Sequence, residues 1–171
     1  MLTIADMNKR PEYDIMEMPE MHRLPLVGSV AANHLPTFTE ARETELVSVK
    51  YSKANHYCLK VNGQSMKPTI CEGDICVVEK VYYHLDELLE EVGPADKQLW
   101  KSLHKKVVCA SVNDEDPVLK RLFVADRKDT GFKLRLAGDN RQAEEIEVLK
   151  DSRLKIFGIV RSIMRDPANF E

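Results

Sequence analysis

No run in this 171-residue chain approaches the roughly 18 consecutive apolar residues of a membrane-spanning helix. The N-terminal stretch MLTIADMNKRPEYDIMEMPE has no apolar block of the kind that marks a secretory leader. The expected compartment is the cytoplasm. Excess charge of one sign is also lacking: net charge is −3, with 31% charged residues of both signs. The chain therefore offers no basic stripe to nucleic acid or to an anionic membrane, and direct DNA binding is not expected. Cysteine is sparse. Cys58, Cys71, Cys76 and Cys109 form no CxxC pair and have no histidine at ligand spacing. Three of them, Cys58, Cys76 and Cys109, fall in strand-like apolar runs, so they read as reduced, buried small hydrophobes. The five histidines make no HxxxH pair, and neither a metal nor any other cofactor is expected. There is no internal repeat and no low-complexity tract.

What remains is a pattern of short strands. LPLVGSVAA (24–32) reads as extended with a break at Gly28, and NHLPTFTEARETE (33–45) as a polar connector. LVSVKY (46–51), HYCLKV (56–61), ICVVEKVYY (75–83), KVVCASV (106–112), PVLKRLFVAD (117–126), GFKLRLAGD (131–139), EEIEVL (144–149) and LKIFGIVRSIMR (154–165) show alternation or β-branching. RKDTG joins two of these as a hairpin. Leu85, Leu88, Leu89 and Val92 fall at helical spacing and stop at Gly93-Pro94; Asp96 could cap a second short helix with Leu99, Trp100 and Leu103. The expectation is a mainly β domain over 24–171, about eight short strands with a helical insertion over 85–105, preceded by a flexible arm over 1–23.

Two residues invite a chemical reading. Ser65 sits in VNGQSMKPTICEGD (61–74), among turn formers. Lys120 shares one strand face with Val118, Leu122 and Val124. If that face packs inward, desolvation lowers the lysine pKa. A lysine near neutrality can take the proton of a serine hydroxyl, a nucleophile activation that needs no histidine or aspartate. Taken singly, each residue also has a commoner use. A strand lysine usually snorkels to water or guards an edge, and serine beside glycine and proline is ordinary turn chemistry.

Joined in order, VNGQSMKPTICEGDICVV, VVCASVNDEDPVLKRL, LRLAGDN and IFGIVRSIMR resemble the LexA/UmuD-type self-cleaving peptidase domain, which phage repressors of the cI kind share. The resemblance covers about residues 24–165. It implies several short, strongly bent antiparallel sheets. It puts the nucleophile on Ser65, the general base on Lys120 and the oxyanion-binding amides at Gln64 and Ser65. LVGSVAANHLP (26–36) corresponds to the cleavage segment, with the scissile bond at Ala32-Asn33. It further implies a regulator of the DNA-damage (SOS) response, self-cleavage stimulated by a RecA–single-stranded DNA filament, and a homodimer paired through the C-terminal strands. Asn33 stands where the family usually has glycine. The Ser65-to-Lys120 gap is also longer than usual, by about the helical insertion. No DNA-binding domain precedes the cleavage segment in this sequence. The alternatives are a slow or silent dimerisation and sensor domain of a repressor, and a Ser–Lys peptidase acting on other proteins.

Overall fold

The computed structural model describes residues 21–30, 43–48, 50–85, 94–126, 132–149 and 151–166. These form nine strands and one helix. The strands are β1 (Met21–Val30), β2 (Glu43–Ser48), β3 (His56–Val61), β4 (Ile75–Leu85), β5 (Val107–Val112), β6 (Val118–Asp126), β7 (Phe132–Ala137), β8 (Ile146–Val148) and β9 (Leu154–Met164), with α1 (Pro94–Ser102) between β4 and β5. The fold is mainly β, as the alternating pattern predicts.

The strands hydrogen-bond in one order, β2-β1-β3-β4-β9-β5-β6-β7-β8, and not as several separate sheets. One pair, β1 with β3, is parallel. The reason lies in β4 and β9. At 11 residues each they run through both halves of the molecule, so the ladder never breaks. Bending occurs at irregularities within it. Register shifts fall between Val77 and Val78 and between Lys80 and Tyr83 on β4, and between Cys109 and Ala110 on β5. Such bulges kink a strand and increase its twist. The Gly28 break lies within another, between Leu26 and Ser29 of β1.

Three apolar clusters line the bent sheet. Trp100 and Leu103 at α1 pack with Val108, Leu122, Leu134, Leu136, Leu154 and Ile156. A second cluster joins Tyr57, Leu59, Met66, Ile70, Val78, Cys109 and Leu119. A third holds Leu24, Val47, Tyr51, Cys58 and Val77. Cys58, Cys76 and Cys109 are free and buried, and burial pushes each thiol up to about 12.

Three boundaries differ from the expected ones. Met21–Arg23 belong to β1, not to an arm; residues 1–20 lie outside the described residues. The connector ends earlier than expected, because β2 begins at Glu43 and pairs with β1 from Leu26↔Glu43 to Met21↔Ser48. Of the stretch 85–105, Leu85 closes β4 opposite Leu154, 86–93 lie outside the described residues, and α1 starts at Pro94. Proline suits a first helical position, where its missing N–H would have no partner in any case. Lys105, with φ 64°, ends the turn that follows the helix.

Candidate active site

The turn carrying Ser65 is built by local backbone bonds and held by two apolar anchors. Gly63, at φ 115°, makes the bend that follows β3, a conformation few side chains tolerate. The Lys67 amide then donates to Gln64 O at 3.2 Å and the Ile70 amide to Met66 O at 2.9 Å. Met66 and Ile70 are buried in the second cluster, four residues apart on one side of this turn. Ser65, immediately before Met66, is left half-buried. Among the described residues, neither the Gln64 nor the Ser65 amide donates a hydrogen bond.

The turn closes on a buried carboxylate. Asp74 is fully buried; its Oδ2 accepts from the Cys71 amide at 2.8 Å and its Oδ1 from the Asp166 amide at 3.0 Å. Arg165 Nε lies 3.4 Å from the same carboxylate, while Nη1 and Nη2 of this arginine reach Cys71 Sγ and Thr69 O, each at 3.0 Å. The end of β9 is thereby tied to the turn. Gly73, at φ 89°, permits the approach, since a Cβ there would meet Asp166 Oδ2 at 2.5 Å.

Lys120 lies in β6, opposite Val108 of β5. Leu122 and Val124, on the same face, are buried in the first cluster, and Leu119 is buried on the other side. Both faces of the strand are thus covered at this point, and Lys120 is only 6% exposed. Its Nζ donates to Glu144 O at 3.0 Å. Desolvation lowers the lysine pKa below its ordinary value, against the opposing pull of the Glu144 and Glu145 carboxylates.

One short segment contacts both the Ser65 turn and Lys120. β6 pairs with β7 up to Arg121↔Ala137, and Gly138 follows directly on the end of β7. A Cβ on Gly138 would collide with the Ser65 carbonyl oxygen, so the two backbones pack directly. The Asn140 amide donates to Ser65 O at 3.0 Å, and Asn140 Nδ2 donates to Gln64 O at 3.2 Å. Four residues on, Glu144 supplies the carbonyl that holds Lys120 Nζ. Segment 138–144 therefore grips the serine turn at one end and the lysine at the other.

Within this segment Asp139 accepts a fork from Arg121, Nε to Oδ1 at 2.8 Å and Nη2 to Oδ2 at 2.5 Å. This pair was not foreseen. Its only trace in the sequence is that Arg121 follows Lys120 and Asp139 lies within LAGDN. Ala32 and Asn33 lie outside the described residues. Among the described residues, no group of three or more His, Cys, Asp or Glu could hold a metal ion.

The class defined by this fold is a mainly β domain with a half-buried turn serine and a buried, desolvated strand lysine, each held by segment 138–144. Residues 25–87 match the family described as Peptidase S24-like, the LexA/UmuD/cI type, and the match includes Ser65 and stops short of Lys120. No curated protein matches the chain. Among the described residues, no helix is long and apolar enough to cross a membrane.

Proposed function

We propose that this chain is a self-cleaving serine peptidase in which Ser65 is the nucleophile and Lys120 the general base, and in which the bond cut is Ala32-Asn33. The observation that carries this reading is the burial of Lys120 with its Nζ held by the segment that also grips the Ser65 carbonyl. A neutral Lys120 takes the Ser65 hydroxyl proton as Oγ adds to the Ala32 carbonyl carbon. The Gln64 and Ser65 amides face the oxyanion. Collapse breaks the bond to Asn33, whose nitrogen receives the proton from Lys120. Water then hydrolyses the Ala32 ester of Ser65.

The family resemblance supports a role in the DNA-damage response, with a RecA–single-stranded DNA filament favouring the cleavage-competent pose, and a homodimer joined through the segment that forms β9. Asn33 favours a second reading, a slow or silent dimerisation and sensor domain. Asparagine adopts a strained turn less readily than glycine.

The test is incubation of the purified chain from pH 7 to 10, followed by intact mass, beside Ser65→Ala and Lys120→Ala. The expected result is cleavage between Ala32 and Asn33 that speeds up as rising pH deprotonates Lys120 and that both substitutions abolish. An intact chain over days, with RecA filaments added, leaves the dimerisation reading. Cleavage of an added peptide but not of the chain itself would indicate a peptidase acting on other proteins.

A further inference from the structure

The proposed dyad uses neither Arg121 nor Asp139, yet Asp139 lies between Gly138 and Asn140, the two residues that hold the Ser65 carbonyl. The Arg121 and Asp139 side chains are mostly buried, 25% and 16% exposed, and the contact is a two-pronged guanidinium–carboxylate fork. Such a fork fixes orientation as well as distance, and in this setting it is not the loose surface pair that contributes little. Arg121 has a third bond, from Nη1 to Lys105 O at 2.7 Å, at the exit of α1. The Arg121 hydrogen bond holds the Asp139 carboxyl below the ordinary value. The two neighbours of Asp139 are the residues that touch Ser65: Gly138 packs on its carbonyl and Asn140 donates to it. A displaced Asp139 therefore moves the turn that aims the Ser65 hydroxyl, while Lys120 keeps its own anchor at Glu144.

We propose that Asp139, clamped by Arg121, is a positioning residue for Ser65: it locks the 64–70 turn onto segment 138–140 and sets the reach of the serine to Lys120. In its catalytic consequence this rests on the reading of Ser65 as nucleophile.

The test is labelling of Ser65 by a fluorophosphonate. The serine oxygen bonds phosphorus, fluoride leaves and the hydroxyl proton passes to the base. Intact mass is followed from pH 7 to 10, with Ser65→Ala as the blank. Asp139→Asn is expected to label about 10- to 100-fold more slowly at every pH, the loss that a displacement of about 1 Å can cause, with the pH midpoint of the wild type. Arg121→Gln should lose a similar factor, and the double variant no more than the single ones, because the two act as a unit. Asp139→Glu should recover part of the rate. Asn140→Ala, which removes the exposed Nδ2 bond to Gln64 O, should slow labelling several-fold and serves if Asp139→Asn does not fold.

Wild-type rates in Asp139→Asn or Asn140→Ala, or losses that multiply in the double variant, would overturn the proposal. If the wild type itself does not label, the reading of Ser65 fails and hydrogen exchange decides the clamp. Exchange at the Ile70 and Asn140 amides faster by tenfold or more in Asp139→Asn, with the β3–β4 ladder unchanged, supports it. Unchanged exchange at those amides overturns it.

Discussion

Burial of Lys120 has a consequence for stability that is separate from any chemistry. The folded chain disfavours the ammonium, so its pKa falls below that of the unfolded chain. Between the two values the unfolded chain binds more protons, and stability rises with pH. Below the folded pKa the full desolvation penalty is present. Lys120→Met should therefore raise the melting temperature at pH 7, by about 2–4 °C for each kcal/mol of penalty removed. The gain should shrink as pH climbs towards about 10.5, the ordinary lysine value. A gain that is flat with pH would mean that packing, not charge, sets it. Part of this site was legible in the sequence. The parity of Val118, Lys120, Leu122 and Val124 places the lysine on the face that Leu122 and Val124 bury, and turn formers surround Ser65. The Arg121–Asp139 fork and the Asn140 bonds were not legible. They join residues 18 and 75 or more positions apart, which only the β6–β7 register and the close approach at Gly138 bring together.

Elements here are joined by buried polar atoms as well as by ladders. The start of β4 and the end of β9 meet at Asp74, whose carboxylate accepts from two backbone amides and faces Arg165. Replacing it by alanine strands the Cys71 and Asp166 amides and leaves the guanidinium without its anion. Asp74→Ala is expected to cost about 3–5 kcal/mol, the range for breaking one side of a buried charged contact. It should appear as a lower urea midpoint at unchanged slope. A loss under 1 kcal/mol would show that water replaces the carboxylate. Strand positions were well marked by alternation: β3 has the expected bounds, and β5, β6 and β9 agree within a residue at each end. Their order was not marked. The parallel β1–β3 pair and the β4–β9 ladder depend on contacts between distant segments, which a local period of two does not encode.

Across the whole molecule, β4 and β9 contribute to every apolar cluster. Leu154, Ile156 and Ile159 enter the first, with Val81 and Tyr83 against it. Cys76 and Val78 enter the second, with Phe157, Val160 and Ile163 packed on it. Val77 enters the third, beside Ile75 and Met164. No cluster can therefore be exposed without disturbing strands that the other two need. The halves on either side of this pair should unfold together, although one begins with the β2 edge and the other ends with the β8 edge. The chain has one tryptophan, Trp100, 3% exposed in the first cluster at α1, so its fluorescence reports on the half carrying β5 to β8. Backbone circular dichroism reports on all strands. In urea the two signals are expected to trace one transition, with the same midpoint and slope. An earlier fluorescence transition would mean that α1 and its cluster open while β1 to β4 stay folded. The shared β4–β9 pair would then not couple the halves. Coincident curves would also separate two effects at the Ser65 turn. Its anchors Met66 and Ile70 belong to the second cluster, so they would hold until global unfolding, whereas loosening through the 138–140 clamp would be a change within the folded state.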